Sequence, residues 1–175
     1  MIYRRRFDPD SGDSLARLAR WLTPGATVLE LGAAAGYFTE WMRGRGCTVD
    51  VVELDPEAAR AARPFARRVV VADLDAEGWE AALRQGAGEG EGAPRYDVIV
   101  CADVLEHLRD GVRLLARLRP LLAPGGELLL SVLEHIQQSG ERVDHLVVTG
   151  DHTHDELPAT YRAVRGLLNP WGDRL

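Results

Sequence analysis

The stretch VLELGAAAGYF, residues 28–38, decides the fold. Apolar residues lead to Glu30, then Gly32 and Gly36 bracket three alanines, and Tyr37 and Phe38 follow. TVLELG reads as a short buried parallel strand, and the residues after Gly36 read as a helix to about Arg43. The bend between them is a tight strand-to-helix turn. In doubly wound sheets, ligands sit outside the carboxyl ends of the strands, which is where this bend lies. A helix opening after Gly36 turns N–H groups and a partial positive charge toward that crevice, which suits a carboxylate or a phosphate. Gly32 and Gly36 permit close backbone approach and dihedrals that other residues avoid.

Outward from the bend the pattern repeats. Upstream, Asp13 or Ser14 caps a helix with Leu15, Leu18, Ala19 and Leu22 on one face, ended by Pro24-Gly25. Downstream, Gly44 and Gly46 stop the second helix, TVDVVELD is a strand, and Asp55-Pro56 starts another helix. RRVVVADLD is a third strand, with a weaker helix at Trp79 to Leu83. The stretch QGAGEGEGAPR, residues 85–95, reads as a surface loop. YDVIVCADVL is a fourth strand, a helix runs from about Asp110 to Leu122, Ala123-Pro124-Gly125-Gly126 turns, and ELLLSVL is a fifth strand. Strands alternating with helices predict an α/β fold, a doubly wound Rossmann-like and mostly parallel sheet with helices on both faces. Beyond Glu134 the pattern weakens to one strand in RVDHLVVTG and one helix from Asp155 to Leu168.

The chain of 175 residues fits a single domain. Residues 1–23 give an N-terminal helix, 24–133 a ligand-binding core and 134–175 a short divergent segment with C-terminal strands cut short. No apolar run reaches the ~20 residues that span a bilayer, and the start MIYRRRFDPDSGD lacks the apolar core of a secretory signal. Cys47 and Cys101 lie far apart in apolar contexts, so neither a disulfide framework nor a zinc site follows from them. These features predict a cytoplasmic protein with no membrane partner. A net charge of −6 argues against a nucleic-acid partner. All 21 basic residues are arginine, which excludes a Schiff-base lysine and a phosphate-loop lysine.

The dinucleotide fingerprint requires glycine at positions one, three and six. Counted from Gly32, those positions hold Gly32, Ala34 and Tyr37, so a pyrophosphate fits poorly. Three acids favour a different ligand. Glu30 ends the first strand, Glu53 ends the second, where a carboxylate can accept from both ribose hydroxyls, and Asp73 ends the third, placed for an exocyclic adenine amine. Singly each suits a helix cap or a solvated strand end. On consecutive strand ends beside the bend they line a site for a nucleoside that also carries positive charge.

The run VLELGAAAGYFTEWM, GCTVDVVELDPEAARAA, VVVADLD, YDVIVCADVLEHLRD and LRPLLAPGGELLLSV resembles the class I S-adenosylmethionine-dependent methyltransferases over about residues 24–132. It is most similar to small bacterial members with an ADVLEHL-type fourth motif. The resemblance implies S-adenosylmethionine as cofactor and S-adenosylhomocysteine as product. It implies a glycine-rich motif at Glu30, Gly32, Ala34 and Gly36, a ribose acid at Glu53 with Leu54 beside the adenine, and an adenine pair at Asp73 and Leu74. It also places Cys101, Ala102 and Asp103 over the methionine end and the methyl group. Many members have glycine where Ala34 stands, and a left-handed conformation there costs alanine roughly 1 kcal/mol.

The expected reaction is methyl transfer to an oxygen or nitrogen of a small molecule or sugar. A catalytically incomplete module that binds the cofactor within an oligomer is the alternative. His107 is the expected base, an imidazole positioned just past the fourth strand; a helix-start residue bonded to backbone is the plainer reading. Glu106 is expected to orient or cap. His135, His145, His152 and His154 stand among acidic residues, but alternating neighbours rarely converge on a metal, and no metal is expected. Family members commonly continue through a substrate lid and two further strands, so a homodimer across the missing side is expected.

Overall fold

The computed structural model describes residues 6–11, 13–84 and 94–130. In chain order the elements are α1 (Ser14–Ala19), β1 (Thr27–Leu31), α2 (Tyr37–Gly44), β2 (Thr48–Glu53), α3 (Pro56–Ala62) and β3 (Arg68–Val71). They continue with α4 (Trp79–Arg84), β4 (Tyr96–Cys101), a 3₁₀ turn at Leu105–His107, α5 (Gly111–Leu118), a second 3₁₀ turn at Arg119–Leu121, and β5 (Leu122–Leu130). The strands form one sheet in the order β3-β2-β1-β4-β5, and every pairing is parallel. The order reverses between β1 and β4, which puts the switch point beside the 32–36 bend. This is the α/β doubly wound sheet that the alternation predicts.

The strands read as near-continuous apolar runs because both faces are buried. Leu29, Leu31, Val52, Ile99, Cys101, Leu128 and Leu130 join a core with Trp79 and Leu83 of α4 and Leu114, Leu115 and Leu118 of α5. Val28, Val49, Val51, Val98, Val100 and Leu129 face the other way, onto Leu18 of α1 and Phe38 and Met42 of α2. Phe7 closes that second core from the N-terminal side, its ring 4.9 Å from Phe38 and 5.0 Å from Trp41.

Capping follows the sequence. The Asp13 carboxylate accepts from the Ala16 N–H, and Asp55 accepts from Glu57 and Ala58 with Pro56 in the first turn. Asp50, in the middle of β2, is wholly buried and fully engaged. Arg67 bonds it through Nε (2.9 Å) and Nη2 (2.7 Å), and the Tyr96 hydroxyl donates to it at 2.9 Å. Burial, followed by the Asp50 charge, pushes the Tyr96 phenol far above its ordinary range.

Two segments depart from expectation. The helix predicted to reach Leu122 stops at Leu118, because Pro120 lacks an N–H and its ring meets the carbonyl one turn back. The expected Ala123–Gly126 turn is a bulge inside β5: pairing steps from Tyr96↔Leu122 to Val98↔Glu127. Gly126 has no room for a side chain there, since a Cβ would stand 2.8 Å from the Tyr96 carbonyl oxygen. The expected strand in RVDHLVVTG, the helix from Asp155 to Leu168, the tail histidines, most of the 85–95 loop and the basis for a homodimer lie outside the described residues. No helix of the described residues is long and apolar enough to cross a membrane.

Candidate active site

The bend closes where the sequence puts it. Gly32 donates to the Val52 carbonyl at 2.8 Å, extending the β1–β2 ladder by one residue, and Gly36 donates to Ala33 at 2.8 Å. Gly32, Ala34 and Gly36 all have positive φ, at 72°, 47° and 80°. The two glycines are required by packing as well as by dihedral. A Cβ on Gly36 would lie 2.7 Å from the Ala62 Cα of α3, and one on Gly32 would lie 2.5 Å from a Val104 methyl. Ala34 adopts the left-handed conformation that costs a residue with a Cβ about 1 kcal/mol. Gly36 is the N-cap of α2 and has no side chain to bond the first N–H groups of the helix, which face the crevice end of the bend.

The three acids differ in kind. Glu30 is the penultimate residue of β1 rather than its end, and is 4% exposed. Its Oε2 accepts from the Thr39 hydroxyl of α2 at 2.6 Å. Burial lifts its carboxyl to about 7; the Thr39 bond works against that rise and the Glu53 charge adds to it. Glu53 does end β2, 8% exposed, with both oxygens on backbone: Oε2 accepts from the Ala34 N–H at 2.8 Å and Oε1 from the Asp55 N–H at 2.9 Å. Asp73 stands two residues beyond the end of β3, which closes at Val71, because a local turn takes the chain away from the sheet. Its Oδ1 accepts from the Asp75 N–H at 2.9 Å, and its carbonyl accepts from Ala76 at 3.0 Å.

Around these acids, Leu54 is 66% exposed directly after β2 and Val71 is 45% exposed at the end of β3. Leu74 belongs to the core, so its side chain is turned away from solvent. Cys101, the last residue of β4, is buried; beyond it Ala102 is half-buried and Asp103 is exposed, with φ 53°. Leu105, Glu106 and His107 form the 3₁₀ turn that follows, and the exposed His107 donates its N–H to the Val104 carbonyl at 3.0 Å. His107 is thus the last residue of this turn rather than a helix start, with its N–H bonded to backbone.

A tie between the β3 and β4 loops was not legible in the sequence. Both Asp75 oxygens accept from the Arg109 N–H, at 3.2 and 3.1 Å. Arg117 of α5 donates to the Leu74 carbonyl at 2.9 Å, grips Glu80 with Nε and Nη2 at 2.5 and 2.9 Å, and stacks 5.1 Å from the Trp79 ring. Among the described residues no group of three or more His, Cys, Asp or Glu is placed to hold a metal ion.

Glu30, Glu53 and Asp73 thus lie at or near the carboxyl ends of three neighbouring strands, beside a helix start without a side-chain cap and the exposed Leu54. Residues 3–163 match the methyltransferase-domain family. The chain belongs to the S-adenosylmethionine-dependent methyltransferases. It is 28% identical over 177 residues to a ubiquinone biosynthesis O-methyltransferase of Xanthomonas campestris, covering 89% of this chain and 72% of the relative. A TehB-like S-adenosylmethionine-dependent methyltransferase from Corynebacterium glutamicum is 26% identical with a TM-score of 0.51, covering 69% of this chain and 62% of the other. An S-adenosylmethionine-dependent methyltransferase from Mesorhizobium loti shares the fold, with a TM-score of 0.57 at 21% identity, over 71% of this chain and 56% of the other. This methyltransferase thus spans about three fifths of the length of those solved chains. Its cofactor is S-adenosylmethionine.

Proposed function

We propose that this methyltransferase transfers a methyl group to an oxygen of a small-molecule acceptor, with the cofactor's nucleoside along the carboxyl ends of β1, β2 and β3. The Glu53 carboxylate carries the reading. Each of its oxygens accepts one backbone N–H, from Asp55 and Ala34, so each keeps a lone pair for one hydroxyl of a ribose. The Xanthomonas relative, named for O-methylation, favours oxygen over nitrogen and over a sugar acceptor.

The residues present fit the cofactor. Gly32, Ala34 and Gly36, whose own N–H groups are engaged by Val52, Glu53 and Ala33, would shape the bend against its amino-acid end, and the first turn of α2 would offer the carboxylate N–H groups and the helix field, with Glu30 beneath. Exposed Leu54 would lie against the adenine, Asp73 would accept from its exocyclic amine with Leu74 beside it, and Ala102 and Asp103 would stand near the methyl end. When bound, the cofactor supplies a methyl carbon made electrophilic by its sulfonium. The protein's part is to hold the acceptor oxygen in line and exclude water. His107 takes the acceptor's proton on an imidazole nitrogen, and Glu106 beside it orients the turn.

The test uses radiolabelled S-adenosylmethionine with phenols, amines and sugars as acceptors. Transfer to a hydroxyl is expected, and transfer to an amine or sugar alone corrects the acceptor class. If S-adenosylhomocysteine binds but no acceptor is labelled, the protein is the catalytically incomplete module instead. His107→Ala should lower turnover about 100-fold and leave S-adenosylhomocysteine affinity unchanged. Equal turnover in that variant from about pH 6 to 9 would discard His107 as the base.

A further inference from the structure

Ala34 is exposed. Its φ of 47° is left-handed, a conformation that glycine adopts freely and alanine does not. The force that opposes this strain is visible at its own N–H, which donates to Oε2 of Glu53 at 2.8 Å across 19 residues of sequence. A bond from a backbone N–H to an ionised carboxylate is of the stronger kind. The same carboxylate fixes the start of α3 through Asp55, at 2.9 Å on its other oxygen.

We propose that Glu53 and Ala34 form a latch: the carboxylate placed for the ribose also holds the 32–36 bend in its left-handed form, which makes Glu53 a positioning residue for the bend. The inference rests on the reading of Glu53 as the ribose acid. A diol adds to the lone pairs that the backbone leaves open, so an arriving cofactor completes the coordination of Glu53 and does not break its hold on Ala34. Ribose recognition and the presentation of the α2 N-terminus to the amino-acid end therefore depend on one side chain. Glutamine cannot replace it. With one accepting oxygen and an amide nitrogen that only donates, it leaves either Ala34 or Asp55 without a partner.

The test is a double-mutant cycle read by calorimetric titration of S-adenosylhomocysteine into wild type, Glu53→Gln, Ala34→Gly and the double variant. Glu53→Gln should weaken binding about thirtyfold through the lost charge-assisted bonds. Ala34→Gly should alter binding less in the wild-type background than in the Glu53→Gln background, because the latch already holds the bend. In the Glu53→Gln background, Ala34→Gly should restore about fivefold, since glycine reaches the same conformation without strain. Amide hydrogen exchange at residue 34 should accelerate at least about tenfold in Glu53→Gln. If the two substitutions combine additively, or exchange at residue 34 is unchanged, the latch is wrong while the ribose assignment stands. If Glu53→Gln binds as tightly as wild type, the ribose assignment itself fails. Should Glu53→Gln not fold, exchange in the ligand-free wild type decides: a protected Ala34 amide supports the latch and an unprotected one overturns it.

Discussion

Gly36 shows how one residue serves both packing and site. Its φ is 80°, and a Cβ would stand 2.7 and 2.8 Å from Ala62 Cα and Cβ, atoms of a helix that cannot yield without moving. Gly36→Ala should therefore cost about 3 kcal/mol, read by chemical denaturation; a loss below about 1 kcal/mol would mean that α3 gives way easily. Glu30 makes a pH-dependent contribution. Its folded carboxyl is lifted by burial to about 7 from 4.5, so between these values the folded state keeps a proton that the unfolded chain has released. Stability from this group is thus full below about pH 4.5 and falls as pH rises through 7. Glu30→Gln, which keeps an acceptor for Thr39, should remove that fall, so its stability relative to wild type should grow across this window and level above it. Parallel pH profiles for the two proteins would refute the assignment. The sequence marked Glu30, Glu53 and Asp73 as a set because each follows an apolar run. It could not show that one is buried against Thr39, one is bonded to the bend and one is exposed, since these differences come from contacts across helices and loops.

Among the elements, boundaries set by local chemistry were legible and boundaries set by distant contacts were not. Asp13 and Asp55 were readable as caps because a cap bonds within its own first turn. The early end of α5 was readable in principle from Pro120. The clamp of Arg117 on Leu74 and Glu80 was not, because it joins positions 43 and 37 residues apart. That clamp fixes α5 against the loop that carries Asp73. Arg117 and Glu80 are 16% and 19% exposed, so removing one partner strands a mostly buried charge. Arg117→Met should destabilise the fold by about 2 kcal/mol, and adding Glu80→Leu should recover part of that loss. A double variant less stable than Arg117→Met alone would show that the pair's role is not electrostatic. The pairing of Asp50 is legible in principle, because a carboxylate set among valines in TVDVVE must be paired when both faces of the strand are buried.

For the whole molecule, the parallel sheet followed from alternation alone, since parallel neighbours need a crossover and the helices between them supply it. The order β3-β2-β1-β4-β5 brings the 32–36 bend, the Glu53–Leu54 corner and the Asp73 turn to the carboxyl ends of three neighbouring strands, as the proposed cofactor site requires. Acceptor specificity was not legible, because a strand-end pattern describes the cofactor and not the space beyond its methyl group. A ligand that binds only the folded chain stabilises it by mass action. S-adenosylhomocysteine at about a hundredfold over its dissociation constant should add about 2.7 kcal/mol, and a matching concentration of NADH should add nothing; a melting temperature raised by NADH would return the dinucleotide reading. The most direct measurement is the structure of the protein co-crystallised with S-adenosylhomocysteine. The ribose hydroxyls are expected on Glu53, the adenine between Leu54 and Asp73, and the carboxylate at the start of α2. A nucleoside found anywhere else on the sheet would contradict this placement.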